Sequence, residues 1–246
     1  MVTVREQSFL ICKHCGAPIQ GHSYIEKEAG LYLGEECYFR DTYLDGIVSG
    51  IESSYLATIE AFVSAVDARE HETGNHLFRV SRLAVIFGHA LGLSGQELAD
   101  LYTGAILHDL GNIGVPDAIL LKKGSLTPEE QRVMRLHPGT GRRIIGHIGY
   151  LAKAAEIVWS HHEHFDGSGY PRGLKGEDIP RGARIFSVAD ALDALTVKRP
   201  YREALSFEEA KQEIGKHSGT IFDPAVVKAL ESVSEEIKDF IGKMPG

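Results

Sequence analysis

The spacing of apolar residues divides the chain into two kinds of sequence. Between residues 9 and 41, stretches such as SYIEKEAGLYL alternate apolar and polar positions and are bounded by Gly21, Gly30 and Gly34, the pattern of short hairpin strands. From Tyr43 the period lengthens. Leu44, Val48, Ile51, Tyr55, Phe62 and Ala65 recur at helical steps with no proline among them, which predicts one long connecting helix over residues 43–69. After Glu70 the helical period continues almost without strands. HLFRVSRLAVIFGHALGL ends at Gly92; SGQELADLYTGAILHDLG opens with Ser94 and Glu97 in capping-box spacing and ends at Gly111. LTPEEQRVMRLHP has Thr127 in the cap position, Pro128 at the first helical position and acids in the first turn, and ends at Pro138. Further helices are expected over residues 139–146, 149–162, 182–196, 206–217 and 223–241. The fold class is therefore mainly α. A helical bundle over residues 70–246 is preceded by a connecting helix and, over residues 1–42, by a small Cys-containing β-hairpin module.

Composition narrows the classes of partner. The chain has 246 residues and 43% apolar content, enough for one large globular core and a small appendage. A formal charge of −8 argues against broad binding of DNA or RNA, which needs a basic footprint to displace counterions from phosphates. No window reaches the roughly 18 to 20 uninterrupted apolar residues of a membrane span. The start, MVTVREQSFLICKHC, lacks the zones of a signal peptide, so a cytoplasmic location without membrane partner is expected. The three cysteines are an odd number with one C-x-x-C pair, which fits a reducing compartment and metal binding better than a disulfide scaffold. Thr58 and Ala65 weaken the seam of the connecting helix. It serves either as a homodimer seam or as a face that covers the main domain.

Candidate chemistry collects at the predicted helix ends. Glu72 and His76 are four apart and share one face if a helix begins near Glu72. His108 and Asp109 close a second helix before Gly111, His137 ends a third against Pro138, and His161 and His162 end a fourth. Asp190 lies inside a fifth, ARIFSVADALDAL, where its neighbours at apolar spacing would bury it. A buried acid or imidazole without compensation costs several kcal/mol, about 2 to 7 for a neutral polar group and more for a charge. A divalent metal is the economical compensation. Imidazole with carboxylate and no cysteine suits Fe, Mn, Zn or Co rather than Mg or Ca. Eight donors exceed what one ion can use with an open position, so two or three ions are implied, with Asp109 the best candidate for a shared carboxylate.

These residues also carry a resemblance. The pair His108-Asp109 resembles the signature of the HD metal-dependent phosphohydrolases, and HETGNHLFRV, LHDLGNIGVPDAIL, LTPEEQRVMRLHPGTG, HHEHFDGSGYP and RIFSVADALDALTVKRPYREAL resemble, in order, the HD-GYP subgroup from about residue 65 to 230. The resemblance implies a helical-bundle HD domain that hydrolyses the bacterial second messenger cyclic di-GMP to linear pGpG, often on to GMP, at a di- or tri-iron centre that accepts manganese. The family's metal ligands fall on Glu72, His76, His108, Asp109, His137, His161, His162 and Asp190, with Glu72 where three-metal members have a ligand. Gly169, Tyr170 and Pro171 occupy the turn after which the subgroup is named. One position departs. The family reads H-D-x-G-K, with the lysine engaging the scissile phosphate, and this chain has Asn112 there, which donates a hydrogen bond but carries no charge.

Other positions have plainer readings. His89, His147, His164 and His217 match no motif and are read as surface or locally satisfied histidines, and Asp193 as a structural hydrogen bonder. Arg199, Tyr201 and Arg202 in KRPYREAL form a solvated turn on composition alone, whereas the resemblance places them at the ligand mouth, where a guanidinium would hold a phosphate. Cys12, Cys15 and Cys37 resemble half of a LIM-like or treble-clef zinc finger, with Gly34 where such a finger often has histidine. A structural zinc completed by Asp41, His22 or water comes first, free thiols second and a Cys12–Cys15 disulfide third. Three functions follow in order: a cyclic di-GMP phosphodiesterase, a metal-holding receptor of low activity motivated by Asn112, and an HD hydrolase of another phosphoester.

Overall fold

The computed structural model describes residues 24–28, 31–34, 59, 61–63, 75–197 and 203–242. Tyr24–Glu28 (β1) and Leu31–Gly34 (β2) pair antiparallel, Tyr24 opposite Gly34 and Ile25 opposite Leu33, with a register irregularity between Glu26 and Glu28. The remainder of the predicted Cys module lies outside the described residues, Cys12, Cys15 and Cys37 included, as do Glu72, Arg199, Tyr201 and Arg202.

The helical period becomes a bundle because its apolar stripes face one another. Asn75–Ala90 (α1) buries Val80, Leu83, Ala84 and Phe87 against Gln96–Ile106 (α2) and Arg181–Thr196 (α7), which contribute Leu101 and Phe186. Phe87 and Phe186 are fully buried. Each such ring removed from water stabilises the fold by about 1.5–3 kcal/mol. Phe207–Lys216 (α8), Pro224–Ser232 (α9) and Ser234–Gly242 (α10) close one side of this core with Ile214, Val226, Leu230 and Ile237.

On the other side, Asp117–Leu120 (α3), Pro128–Met134 (α4), His137–Ile145 (α5) and Ala152–Ser160 (α6) follow α2 through a 3-10 turn at Leu110–Gly114. A second apolar cluster of Leu77, Ile106, Leu110, Ile145 and Val158 fills the space between them. Ile59 and Val63, helical residues of the predicted connector, are buried in this same cluster, so at these positions the connector's apolar face covers the main domain.

Several expected boundaries move for local reasons. The Ser94–Glu97 capping box does not form: α2 starts after Gly95, which has no side-chain cap bond, and the Glu97 N–H donates to the Ser94 carbonyl. Thr127 does cap α4, with Glu130 completing a capping box. His137 begins α5 rather than ending α4, with Pro138 tolerated in the first turn, where its missing N–H has no intrahelical partner to lose. The segment before Ala152 is a 3-10 turn, Gly149–Leu151. The expected helix over residues 223–241 is two helices that break at Val233. Ser232 Oγ donates to the Ala229 carbonyl and Ser234 Oγ to the Leu230 carbonyl, both at 2.7 Å, giving the backbone an alternative to a continuous ladder.

Candidate metal centre

One local device delivers three of the histidines. A helix ends with carbonyls that lack intrahelical donors. His108 Nδ1 lies 2.8 Å from the Ala105 carbonyl, His137 Nδ1 2.9 Å from that of Met134, and His161 Nδ1 2.7 Å from that of Val158, each three residues back. A carbonyl only accepts, so each Nδ1 carries a proton, and in the neutral ring each Nε2 presents a lone pair. His76 reaches the same state differently: its Nδ1–H donates at 2.8 Å to Asp193, whose other oxygen accepts from Arg79 Nε at 2.5 Å. Asp193 is thus a structural hydrogen bonder with a specific task, fixing the ring that sits beside Asp190.

The presented atoms form two groups. His76, His108 and Asp190 place one donor atom each within 4.8 Å of one another, and His137, His161 and His162 do the same. Asp109 stands between them: its Oδ2 is 3.1 Å from His108 Nε2, while its Oδ1 is 3.3 Å from His137 Nε2 and 3.9 Å from His161 Nε2. The close approach has a backbone cause. A Cβ on Gly111 would fall 1.8 Å from the His137 carbonyl oxygen, so only glycine lets the turn after Asp109 rest against the start of α5.

The donor set fits divalent metal. His137 Nε2 and His161 Nε2 face each other at 3.1 Å, and with both Nδ1 protons committed to carbonyls, two lone pairs point together in a buried place. A cation between them turns that repulsion into ligation. Burial holds the imidazole pKa values of His137 and His161 below the ordinary range and pushes that of His162 down to about 3, favouring the neutral form that ligates metal. For His108 burial also lowers the pKa, but Asp109 and Asp190 outweigh it and raise it to about 9. Desolvation opposes the Asp109 carboxylate, yet His108, His137 and His161 hold its pKa well below the usual carboxylate range. Asp190 is not sealed in the core as expected. A third of its side chain, 34%, stays open, while surrounding atoms desolvate it enough to raise its pKa.

Above Asp109 opens a cleft of about 380 Å³, lined by Asp109, Asn112, Leu120, Leu121, Met134, His137, His162 and Tyr170. This is within the roughly 300–1,000 Å³ of small-ligand sites. Asn112 is largely buried and forms part of its floor. Tyr170 is half-buried: its ring stacks on His162 with centroids 4.7 Å apart and planes at 24°, and the Arg135 guanidinium carbon lies 4.9 Å from its centroid. The turn is held close because a Cβ on Gly169 would come within 2.2 Å of the His164 nitrogen. The Tyr170–Pro171 peptide is cis. His89, His147, His164 and His217 join neither group of donors.

Glu163, Arg79, Arg135, Leu120 and Leu121 were not singled out from the sequence. Glu163 is buried and accepts the Arg172 N–H at 2.7 Å and the Leu174 N–H at 3.0 Å, tying the loop that carries Tyr170. The available signal for Glu163 was its place directly after the two histidines; Asp117–Leu120 is too short to show a period.

Residues 60–226 match the family model described as HD domain, and the chain belongs to that family, in its HD-GYP subgroup. It is 43% identical over 173 residues to a cyclic di-GMP phosphodiesterase of Thermotoga maritima, a match covering 70% of this chain and 47% of that protein. It is also 38% identical over 169 residues to 3'3'-cGAMP-specific phosphodiesterase 2 of Vibrio cholerae, covering 68% of this chain and 32% of that one. The chain spans about half the length of the curated relatives it matches, or less. Among solved structures, a cyclic GMP-AMP specific phosphodiesterase of V. cholerae superposes with a TM-score of 0.60 at 24% identity, covering 76% of this chain and 50% of that one, a likeness of fold. Among the described residues no helix is long and apolar enough to cross a membrane.

Proposed function

We propose that this chain is a metal-dependent phosphodiesterase that hydrolyses cyclic di-GMP to pGpG and on to GMP in the cytoplasm. The observation that carries the reading is Asp109, whose two oxygens face two separate groups of imidazole and carboxylate donors. One ion would be held by His76, His108 and Asp190, a second by His137, His161 and His162, with Asp109 shared; Glu72 is the candidate ligand of a third. Iron or manganese suits this nitrogen-and-oxygen set. When bound, such ions polarise phosphoryl oxygens and lower the pKa of water.

The chain's own residues do the rest. The backbone carbonyls of Ala105, Met134 and Val158 hold three rings by their Nδ1 protons, and Asp193 with Arg79 holds the fourth, so the donors need little rearrangement on loading. The cleft positions one phosphate above Asp109, and Leu120, Leu121 and Met134 give an apolar wall for a base. Water adds to phosphorus, the P–O3′ bond breaks and O3′ leaves with a proton, which produces the 5′-phosphate of pGpG. Gly169, Tyr170 and Pro171, with Arg199, Tyr201 and Arg202, are assigned to the substrate side. Residues 1–42, 43–69 and 70–246 are read as module, connector and catalytic domain, with zinc on Cys12, Cys15 and Cys37.

A second reading is favoured by one observation: among the described residues no lysine or arginine lines the cleft, and Asn112 adds no charge. In that reading the chain holds metal and nucleotide but turns over weakly. Elemental analysis of anaerobically purified protein, paired with chromatography of cyclic di-GMP incubated with the same sample, separates the two. At least two Fe or Mn per chain with pGpG or GMP formed is the expected result; metal without product sinks the enzyme, and no metal after reconstitution sinks the site.

A further inference from the structure

We propose that Arg135 is a cation that receives a substrate phosphate at the mouth of this cleft. The inference deepens the phosphodiesterase reading and rests on it. A cyclic dinucleotide carries two phosphodiester anions, and a single centre on the floor meets the one being cut. The other arrives beside a lining of imidazoles, Asn112, leucines, Met134 and Tyr170, with Asp109 itself negative. An anion entering such a cleft needs a positive partner at its edge.

Arg135 has the position and the freedom for this. It caps the C-terminus of α4, one residue after Met134 of the lining and two before His137, and its side chain is exposed. Its guanidinium lies over the Tyr170 ring, which in turn stacks on His162, so one continuous stack runs from a candidate metal ligand to the charged group. A guanidinium over an aromatic ring still has N–H groups to offer a phosphate in a bidentate contact.

Several other arginines are already committed. Arg79 is paired with Asp193, Arg132 with Glu129, and Arg184 with Asp223. Arg142 and Arg172 also stack on an aromatic ring, that of Trp159, but both pair with Glu156. Among the described residues, Arg135 is in no carboxylate ion pair, a difference that separates it from the two guanidiniums stacked on Trp159.

The test compares wild-type, Arg135→Gln and Arg135→Lys proteins, loaded with the same metal, for kcat and KM on cyclic di-GMP and for metal content. Arg135→Gln should raise KM about ten-fold or more with kcat and metal content little changed, the size expected when a charged hydrogen-bond partner is lost. Arg135→Lys should recover part of that loss by keeping the charge without the fork. An unchanged KM in Arg135→Gln overturns the proposal. So does loss of metal together with activity, which would mean that Arg135 acts only by holding Tyr170 against His162. If the wild-type protein turns over no substrate, the phosphodiesterase reading fails on its own, and calorimetric binding of cyclic di-GMP to the same three proteins still decides. Weaker binding by Arg135→Gln sustains the phosphate contact, and equal or absent binding overturns it.

Discussion

Asp193 touches none of the second group of donors, yet it controls how His76 presents Nε2, because it takes the Nδ1 proton and is itself locked by Arg79 at 2.5 and 3.1 Å. Desolvation works against its charge, but His76 and Arg79 prevail and hold its pKa below the ordinary value, so at neutral pH it accepts both bonds. Asp193→Asn keeps the shape and removes one acceptor. Metal affinity, read by competition with a chelator, should fall about 10–100-fold, the usual loss when the partner of a ligating histidine is removed; an unchanged affinity would mean that the ring is held by packing alone. Asn112 permits the opposite kind of test. It is buried at the cleft floor, so Asn112→Lys would bring an ammonium beside Asp109 and the incoming phosphate. Turnover should rise with metal content unchanged, and a rise is incompatible with Asn112 being neutral for activity.

At the level of elements, the loop from His162 to Leu174 is organised by one buried carboxylate. Glu163→Ala leaves the N–H groups of Arg172 and Leu174 without their acceptor, a cost of about 1–3 kcal/mol for each group that stays buried. The variant should melt at lower temperature and raise KM through displaced Tyr170, while Glu163→Gln, whose single carbonyl oxygen can serve only one of the two donors, should recover only part. Helix caps set a different dependence. Glu130 and Glu209 close the capping boxes of α4 and α8, and hydrogen bonds from Lys122 in the first case and Ser206 in the second lower their pKa values below the usual 4.5. A lowered folded-state pKa contributes stability above the unfolded value that is lost as pH falls through the folded one. Melting temperatures taken from about pH 6 down to about 3 should therefore decline less steeply in the Glu130→Gln, Glu209→Gln double variant than in the wild-type chain. The same elements show what a sequence carries. The stripe of α1 and the Thr127-Pro128 start of α4 were legible because period and cap chemistry are local; the break at Val233 was not, since it depends on whether Ser232 and Ser234 bond to carbonyls or to water. Ser94 and Glu97 had the right spacing, but the helix begins after Gly95 instead, with no side-chain cap bond.

Across the whole molecule the candidate centre is a junction of segments far apart in sequence. His76 comes from α1, His108 and Asp109 from the turn after α2, His137 from the start of α5, His161 and His162 from the end of α6, and Asp190 from α7. Their residue types were legible because acids and imidazoles at helix ends are conspicuous in an otherwise apolar pattern. Their division into two groups around Asp109 was not, because it depends on helix crossings and on the backbone contact at Gly111. Helices joined in this way should be stabilised by whatever binds between them. A ligand that binds only the folded chain adds RT ln(1 + [L]/Kd), about 2.7 kcal/mol at a hundred-fold excess over Kd. Thermal melts in rising Mn²⁺ or, without oxygen, Fe²⁺ should move upward with the logarithm of metal concentration, and a chelator should reverse the shift. His137→Ala discriminates between the folded centre and stray surface binding. It removes one of the two facing lone pairs, so it should lose most of the metal-dependent shift while easing the repulsion at His161 in the metal-free protein. If the metal-free variant melts at or above the metal-free wild type and yet gains little from metal, the strain between the two rings and its relief by a cation are both accounted for. If His137→Ala gains as much from metal as the wild type, the ions that stabilise the chain bind elsewhere, and the assignment of the second group fails.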